Sequence, residues 1–359
     1  MGFTAIVATF KTKRFLLAPA KAKATSEFGG QLTRTTLGAA PLARSPTLRN
    51  NAPASPITLT PGEVPQGWGD PMQQRLSIFG PVLGLVCLIS AVSLAQAQQN
   101  PKLYVFSSGS LGGFPKAALQ IGGQGNIDWA PVSFYVITHP KGNIIFDTGN
   151  NDKTITDPDG WWGPLAKGFG LKMTQDDAIP AQLAKIGLKT DDIKYVVVGH
   201  LHLDHGGNIS QFPNSTLVVQ NDELKAAWWP DVGYSLYYIP GDFEATKKMN
   251  IIRLEGDLDM FGDGSFRIFR APGHTPGSQF AVLRLKNTGP VILTSDTVYL
   301  KESLDKNLIP PIPGTWSPKG MYEGYQRIRL IRDTEGAQLF MAHDPELFKA
   351  AKHAPDFYD

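Results

Sequence analysis

Three histidines and one aspartate fall within six positions, His200-Leu201-His202-Leu203-Asp204-His205, and Gly206-Gly207-Asn208 follows directly. Imidazole nitrogens and carboxylate oxygens are the donors that hold borderline divalent ions such as zinc. The chain has seven histidines in 359 residues, so three this close are not scattered polar residues. Val196-Val197-Val198 leads into the cluster and, being apolar and β-branched, reads as a buried strand. A strand end fixes where its last residues point, and the small residues after it let several donors converge on one place.

Further donors stand singly downstream, each at the end of an expected strand. His274 lies in Ala271-Pro272-Gly273-His274-Thr275-Pro276-Gly277-Ser278, where glycines and prolines fix a loop. Asp296 closes Val291-Ile292-Leu293-Thr294-Ser295-Asp296, and His343 closes Phe340-Met341-Ala342-His343. Taken alone, each reads as an ordinary hydrogen-bonded polar residue. Taken with the cluster, they complete a set of five histidines and two aspartates that leaves out only His139 and His353.

The elements that must position these residues alternate. Apolar and β-branched runs predict strands over 103–106, 132–138, 143–147, 195–198, 216–219, 250–254, 266–270, 279–285, 291–294 and 339–341. Helices are expected over 180–186, where Pro180 sits in the first turn and Gly187 closes the element, and over 222–229, 321–332 and 345–352. The strands 279–285 and 291–294 form a hairpin through Asn287-Thr288-Gly289. Hairpins mixed with interspersed helices predict an α/β protein of two sheets with helices outside, not a doubly wound nucleotide-binding sheet.

The first 97 residues differ from the rest. Residues 1–71 are rich in Ala, Thr, Pro, Ser and Gly without a sustained apolar period, and read as a disordered, over-extended N-terminus. Met72-Gln73-Gln74-Arg75 is a short basic start, Ile78 to Leu94 is mostly apolar, and Ala95-Gln96-Ala97 has the small-x-small pattern of a signal-peptidase site. The expectation is a secretory signal peptide over 72–97, cleaved after Ala97, with a periplasmic or secreted product. The competing reading, a membrane anchor, is weakened by Gly80, Pro81 and Gly84. Cys87, the single cysteine, leaves with the signal, so 98–359 has no thiol nucleophile, thiolate ligand or disulfide.

Nine of the 34 Lys and Arg and three of the 32 acids precede residue 98, which leaves 25 bases against 29 acids in 98–359. That mildly acidic balance excludes a nucleic-acid footprint. Its 262 residues fit one catalytic domain.

The H-x-H-x-D-H motif, the later lone histidine, the strand-end aspartate and the final histidine occur here in the order of the metallo-β-lactamase fold superfamily, which 98–359 resembles throughout. The resemblance implies a four-layer αβ/βα sandwich of two mixed sheets and outer helices. It also implies that His200, His202 and His274 bind one metal ion, Asp204, His205 and His343 a second, and that Asp296 bridges them. Two divalent ions, zinc first and cobalt, manganese or iron otherwise, would hold a bridging hydroxide that attacks the substrate. Asp147, in Phe146-Asp147-Thr148-Gly149, matches a further superfamily signature and reads as orienting a ligand or loop.

Within the superfamily the details are most similar to the N-acyl homoserine lactonases. The run from His200 to Asn208 resembles their H-L-H-x-D-H-x-G-G-N version, with leucine at 201 where glyoxalase II proteins place Thr or Ser. The segments Leu103-Tyr104-Val105-Phe106-Ser107-Ser108-Gly109 and His139-Pro140-Lys141-Gly142, and the pair His343-Asp344, also fit. Tyr299 stands three residues after Asp296, where that family carries a tyrosine acting at the substrate carbonyl and leaving oxygen. The implied activity is hydrolysis of a small-molecule lactone, with Tyr299 stabilising the oxyanion and Asp204 passing a proton to the leaving oxygen. Phosphotriester, thioester and β-lactam hydrolysis are the alternatives on the same scaffold, and a non-catalytic metal-binding protein is the alternative outside catalysis. No stable membrane association is expected after signal cleavage, and a homodimer is the assembly considered. The aromatic residues Trp161, Trp162, Trp228, Trp229, Tyr234, Tyr237, Tyr238 and Trp316 are candidates for an acyl pocket or lid.

Overall fold

The computed structural model describes residues 100–359. The expected disordered segment 1–71 and signal peptide 72–97 lie outside the described residues.

Thirteen strands are named in chain order: β1 (Lys102–Leu111), β2 (Phe114–Pro115), β3 (Asn126–Ile127), β4 (Ala130–Thr138), β5 (Asn143–Phe146), β6 (Ile193–Val197), β7 (Thr216–Gln220), β8 (Asn250–Leu254), β9 (Leu258–Asp259), β10 (Phe266–Arg270), β11 (Gln279–Leu285), β12 (Gly289–Leu293) and β13 (Gln338–Phe340). One sheet has six strands in the order β1-β4-β5-β6-β7-β8, antiparallel as far as β5 and parallel from there to β8. The other has five in the order β13-β12-β11-β10-β9, with β12 and β13 parallel and the rest antiparallel. β2 and β3 form a separate two-stranded ribbon.

The valines at the end of β6 and just beyond it show how the layers arise. Val196 and Val198 pack with Leu217, Val219 and the helix residues Leu183 and Leu224 in one core. Val197 points the other way and packs with Val218, Phe266 and Leu283 in a second core, between the two sheets. A strand with apolar side chains on both faces is stable only when both faces are covered. A third core joins Phe280, Val282 and Ile292 of the second sheet to Met321, Tyr325 and Ile328 of the helix Pro318–Glu335. Three apolar layers between four layers of structure make the αβ/βα sandwich with two mixed sheets that the sequence leads one to expect.

The long helix is set by Ser317, whose hydroxyl accepts the Gly320 N–H, and ends at Gly336 in the left-handed conformation with φ 69°. Most boundaries follow the sequence expectation within two residues, but β1 runs on to Leu111 and the helices Pro158–Trp162, Pro164–Gly168, Pro240–Phe243 and Lys301–Lys306 have no counterpart in it. The helices are only four to six residues long, and the first three lie in Gly- and Pro-rich stretches, so periodicity has no room to show. Among the described residues, no helix is long and apolar enough to cross a membrane.

Candidate metal centre

The loops that leave strands β6, β10, β12 and β13 deliver the donors. β6 ends at Val197, and Gln279 of the opposite sheet clamps the exit: its side-chain amide donates to the Val198 carbonyl at 2.7 Å and its N–H to the Gly199 carbonyl at 2.8 Å. The chain then turns tightly, with the His205 and Gly206 N–H groups both donating to the His202 carbonyl. Gly207 is required by close approach, because a Cβ there would lie 2.4 Å from Asn151 N and from Gly149 O. Asn208 explains the end of the motif: its amide donates to the Thr148 and Asn150 carbonyls, and its oxygen accepts from the Asp152 N–H. The Gly-Gly-Asn signature therefore fastens the cluster to the loop after β5.

The donors converge. His274 Nε2 lies 3.1 Å from His200 Nε2 and 2.9 Å from His202 Nδ1, and His205 Nε2 lies 3.2 Å from His343 Nε2. Asp296 reaches both groups, with Oδ1 3.3 Å from His205 and 3.2 Å from His343, and Oδ2 3.4 Å from His274 and 3.9 Å from His200. Asp204 Oδ2 is 3.5 Å from His343 Nε2, and Asp204 is the most exposed of the set at 15% of its side chain. Three overlapping groups have atoms close enough for a single ion: His200 with His202 and His274, His200 with His205 and Asp296, and Asp204 with His205 and His343.

The far sides of His205 and His343 show that their facing nitrogens are not simply hydrogen-bonded to each other, and His274 is held in the same way. His274 Nδ1 donates to the Gly314 carbonyl at 2.6 Å and His343 Nδ1 to the Pro131 carbonyl at 2.9 Å. His205 Nδ1 donates to Asp147 Oδ2 at 2.9 Å. A carbonyl or carboxylate oxygen accepts only, so His274, His205 and His343 carry a proton on Nδ1, and in the neutral form of each ring Nε2 presents a lone pair. Lone pairs facing each other at about 3 Å repel unless a cation lies among them. The buried Asp296 Oδ1 likewise has no hydrogen-bond donor. The donor set fits divalent ions.

Electrostatics separates the two halves. Burial, reinforced by the neighbouring histidines, lowers the pKa of His200 well below the ordinary imidazole value, and burial with His274 does the same for His202. Burial also opposes charge on His205 and His343, but Asp296 and Asp204 outweigh it and raise both. Burial pushes Tyr299 well above the usual phenol range, and Asp296 adds to it, so the hydroxyl stays a proton donor. Its oxygen lies 3.3 Å from His274 Nδ1, and its ring stacks on His343 with centroids 5.8 Å apart.

All seven expected donors come together, with Tyr299 beside them and Asp147 behind His205. Asp147 is fully buried and accepts from three donors: the Gly199 N–H at 2.6 Å, the Ser295 hydroxyl at 2.9 Å and His205 Nδ1. The aromatic candidates fare differently. Tyr237 lines the cavity of about 150 Å³ above the donors, whereas Trp162 packs in the core, Trp228 against Phe243, and Trp161 bonds to buried Asp242. Adjacent rings cannot face one cavity, and most of these serve packing instead. The apolar wall comes from Phe114, Leu119, Phe169 and Ile312, which no motif marks. Glu223 is also missing from the sequence reading. It is fully buried and bonds to both histidine loops, yet in sequence it looks like an ordinary acid in the first turn of a helix.

The sequence profile of the metallo-beta-lactamase superfamily matches residues 127–320. The N-acyl homoserine lactonase AttM of Azorhizobium caulinodans is 36% identical over 261 residues, covering 72% of this chain and 98% of that protein. AttM of Agrobacterium fabrum is 34% identical over 260 residues, with the same coverage. Among solved structures, an N-acyl homoserine lactone hydrolase with N-hexanoyl-L-homoserine at its catalytic metal centre superposes with a TM-score of 0.62 at 26% identity, over 72% of this chain and 99% of that one.

Proposed function

The chain belongs to the metallo-β-lactamase superfamily, and from that premise we propose that it is a metal-dependent hydrolase that opens lactone rings, N-acyl homoserine lactones foremost. The observation that carries this reading is the apolar cavity that opens directly onto Asp204, Asp296, Tyr299 and His343. A polar, ionic floor beneath apolar walls suits a substrate with a reactive ester head and a hydrocarbon tail.

Our assignment gives one ion to His200, His202 and His274, a second to Asp204, His205 and His343, and the place between them to Asp296. Zinc is the ion we propose first; cobalt, manganese and iron accept the same donors. When bound, such a pair supplies a water activated at neutral pH and a Lewis acid for the carbonyl oxygen. The chain's own groups do the rest. Tyr299, kept protonated, donates a hydrogen bond to the carbonyl oxygen as negative charge develops on it. Asp204, the ligand most open to the cavity, passes a proton to the departing ring oxygen. The ester C–O bond breaks, the acyl carbon gains a hydroxyl, and the product acid releases one proton at neutral pH. Phe114, Leu119, Phe169 and Ile312 cover the acyl tail. We also propose export: translation from Met72, with removal of 72–97, would place the enzyme in the periplasm or medium.

A panel of lactones followed by proton release tests the activity. Metal-loaded protein is expected to open acyl homoserine lactones, and His205→Ala to lose one ion and most turnover. Cleavage of phosphotriesters with no lactone opened would overturn the reading.

A further inference from the structure

We infer that Glu223 is a positioning residue for one half of the metal centre, its single carboxylate setting the spacing between the loop that carries His200 and His202 and the loop that carries His274. Oε1 accepts the N–H of Leu201, the residue between the first two histidines, at 2.8 Å, and the Tyr238 hydroxyl at 3.1 Å. Tyr238 in turn lies against the His202 ring, centroids 4.6 Å apart. Oε2 accepts the Thr275 hydroxyl at 2.5 Å and the Gly277 N–H at 3.2 Å, on both sides of Pro276 and immediately after His274. Gly277 has to be glycine for this approach, since a Cβ there would lie 2.2 Å from Glu223 N.

A helix needs only an exposed acid in its first turn, and burying a carboxylate is costly unless donors surround it. Here four donors do, and no cation among the described residues is paired with it. Three of these donors come from the segments that hold His200, His202 and His274, and the fourth belongs to Tyr238, which lies against His202. The other half has support that does not pass through Glu223, with Asp147 behind His205 and the Pro131 carbonyl behind His343. Loss of Glu223 should therefore disturb one ion and spare the other.

The inference rests on the two-ion reading proposed above. The test is calorimetric titration of the chelator-stripped full chain with Zn²⁺, together with the visible spectrum after loading with Co²⁺. Glu223→Gln puts an N–H where two donors already point. It is expected to weaken one of two binding steps by about 10–100-fold, leave the other unchanged, and alter the cobalt spectrum. Thr275→Val removes one donor at nearly constant shape and is expected to weaken the same step less, so the test stands even if Glu223→Gln does not fold. Wild-type protein that takes up fewer than two ions overturns the two-ion reading, and this inference with it. Wild-type protein that takes up two, while a folded Glu223→Gln and Thr275→Val bind both with wild-type affinity, overturns the inference alone. Equal weakening of both steps would also overturn it, by showing a general loss of structure.

Discussion

Ser295 donates a hydrogen bond to Asp147 at 2.9 Å, and both residues hold left-handed backbone, with φ of 44° and 61°. One follows β12 and the other follows β5, so the bond joins the two sheets at the base of the donor cluster. Non-glycine residues in that conformation cost on the order of 1–3 kcal/mol each. Here the conformation turns the Asp147 carboxylate towards Gly199, Ser295 and His205 together.

Asp147→Asn replaces an acceptor oxygen by an N–H where donors already point. Ion affinity is expected to fall by about 10–100-fold, with a lower melting temperature. Ser295→Ala loses one hydrogen bond, about 1 kcal/mol, and is expected to keep its ions. Metal content after dialysis and thermal melts check both, and an Asp147→Asn protein that retains two ions with wild-type affinity would refute the role.

Tyr299→Phe keeps the ring on His343 and removes only the hydroxyl. If that hydroxyl meets the developing oxyanion, kcat should drop by about 100-fold with ion content and KM little changed. Steady-state kinetics beside metal analysis decides it; a variant with the wild-type kcat removes Tyr299 from the reaction.

Asp242 gives stability an acid-side dependence. Burial pushes its carboxyl up to about 7, although Trp161 Nε1 at 2.7 Å and Asn151 Nδ2 at 2.8 Å donate to Oδ1 and pull it down. The unfolded chain releases that proton near pH 4. The folded state binds the extra proton between about pH 4 and pH 7, so this contribution is whole below that window and is lost as pH rises through it. Asp242→Asn keeps the acceptor and abolishes the titration. The variant's melting temperature relative to wild type should climb from pH 5 to pH 8, by the equivalent of at most about 3 kcal/mol. A difference that does not change with pH would contradict this account.

Export makes a separate expectation. Protein recovered from the periplasm or medium should begin at Gln98 on N-terminal sequencing. A chain recovered there with residues 1–71 intact would overturn both the start at Met72 and the cleavage.

The donors were legible because each occupies a strand end after an apolar run, a pattern that survives in one dimension: Val196–Val198 before His200, Val291–Leu293 before Asp296, Phe340 before His343. Glu223 was not, because Asp222-Glu223-Leu224-Lys225 is what any exposed helix start looks like, and its partners lie 22 and 52 residues away. The cavity wall was hidden for a related reason. Phe114 and Leu119 lie in a glycine-rich stretch and Phe169 beyond a one-turn helix, where no period distinguishes a wall from a loop. The tryptophans suggested a pocket by type alone, and packing claimed most of them.

Apart from Leu203, which lies between His202 and Asp204, the principal apolar residues of the cavity wall stand on segments that contribute none of the seven donors. Phe114 stands on the β2–β3 ribbon and Leu119, Phe169 and Ile312 on short connections, while the donors leave strands gripped by core on both faces. Substrate preference can therefore drift, by selection or by design, through substitutions that leave the reaction untouched. A library confined to those four positions would explore new acyl groups, and even new leaving groups, with little risk to the chemistry below.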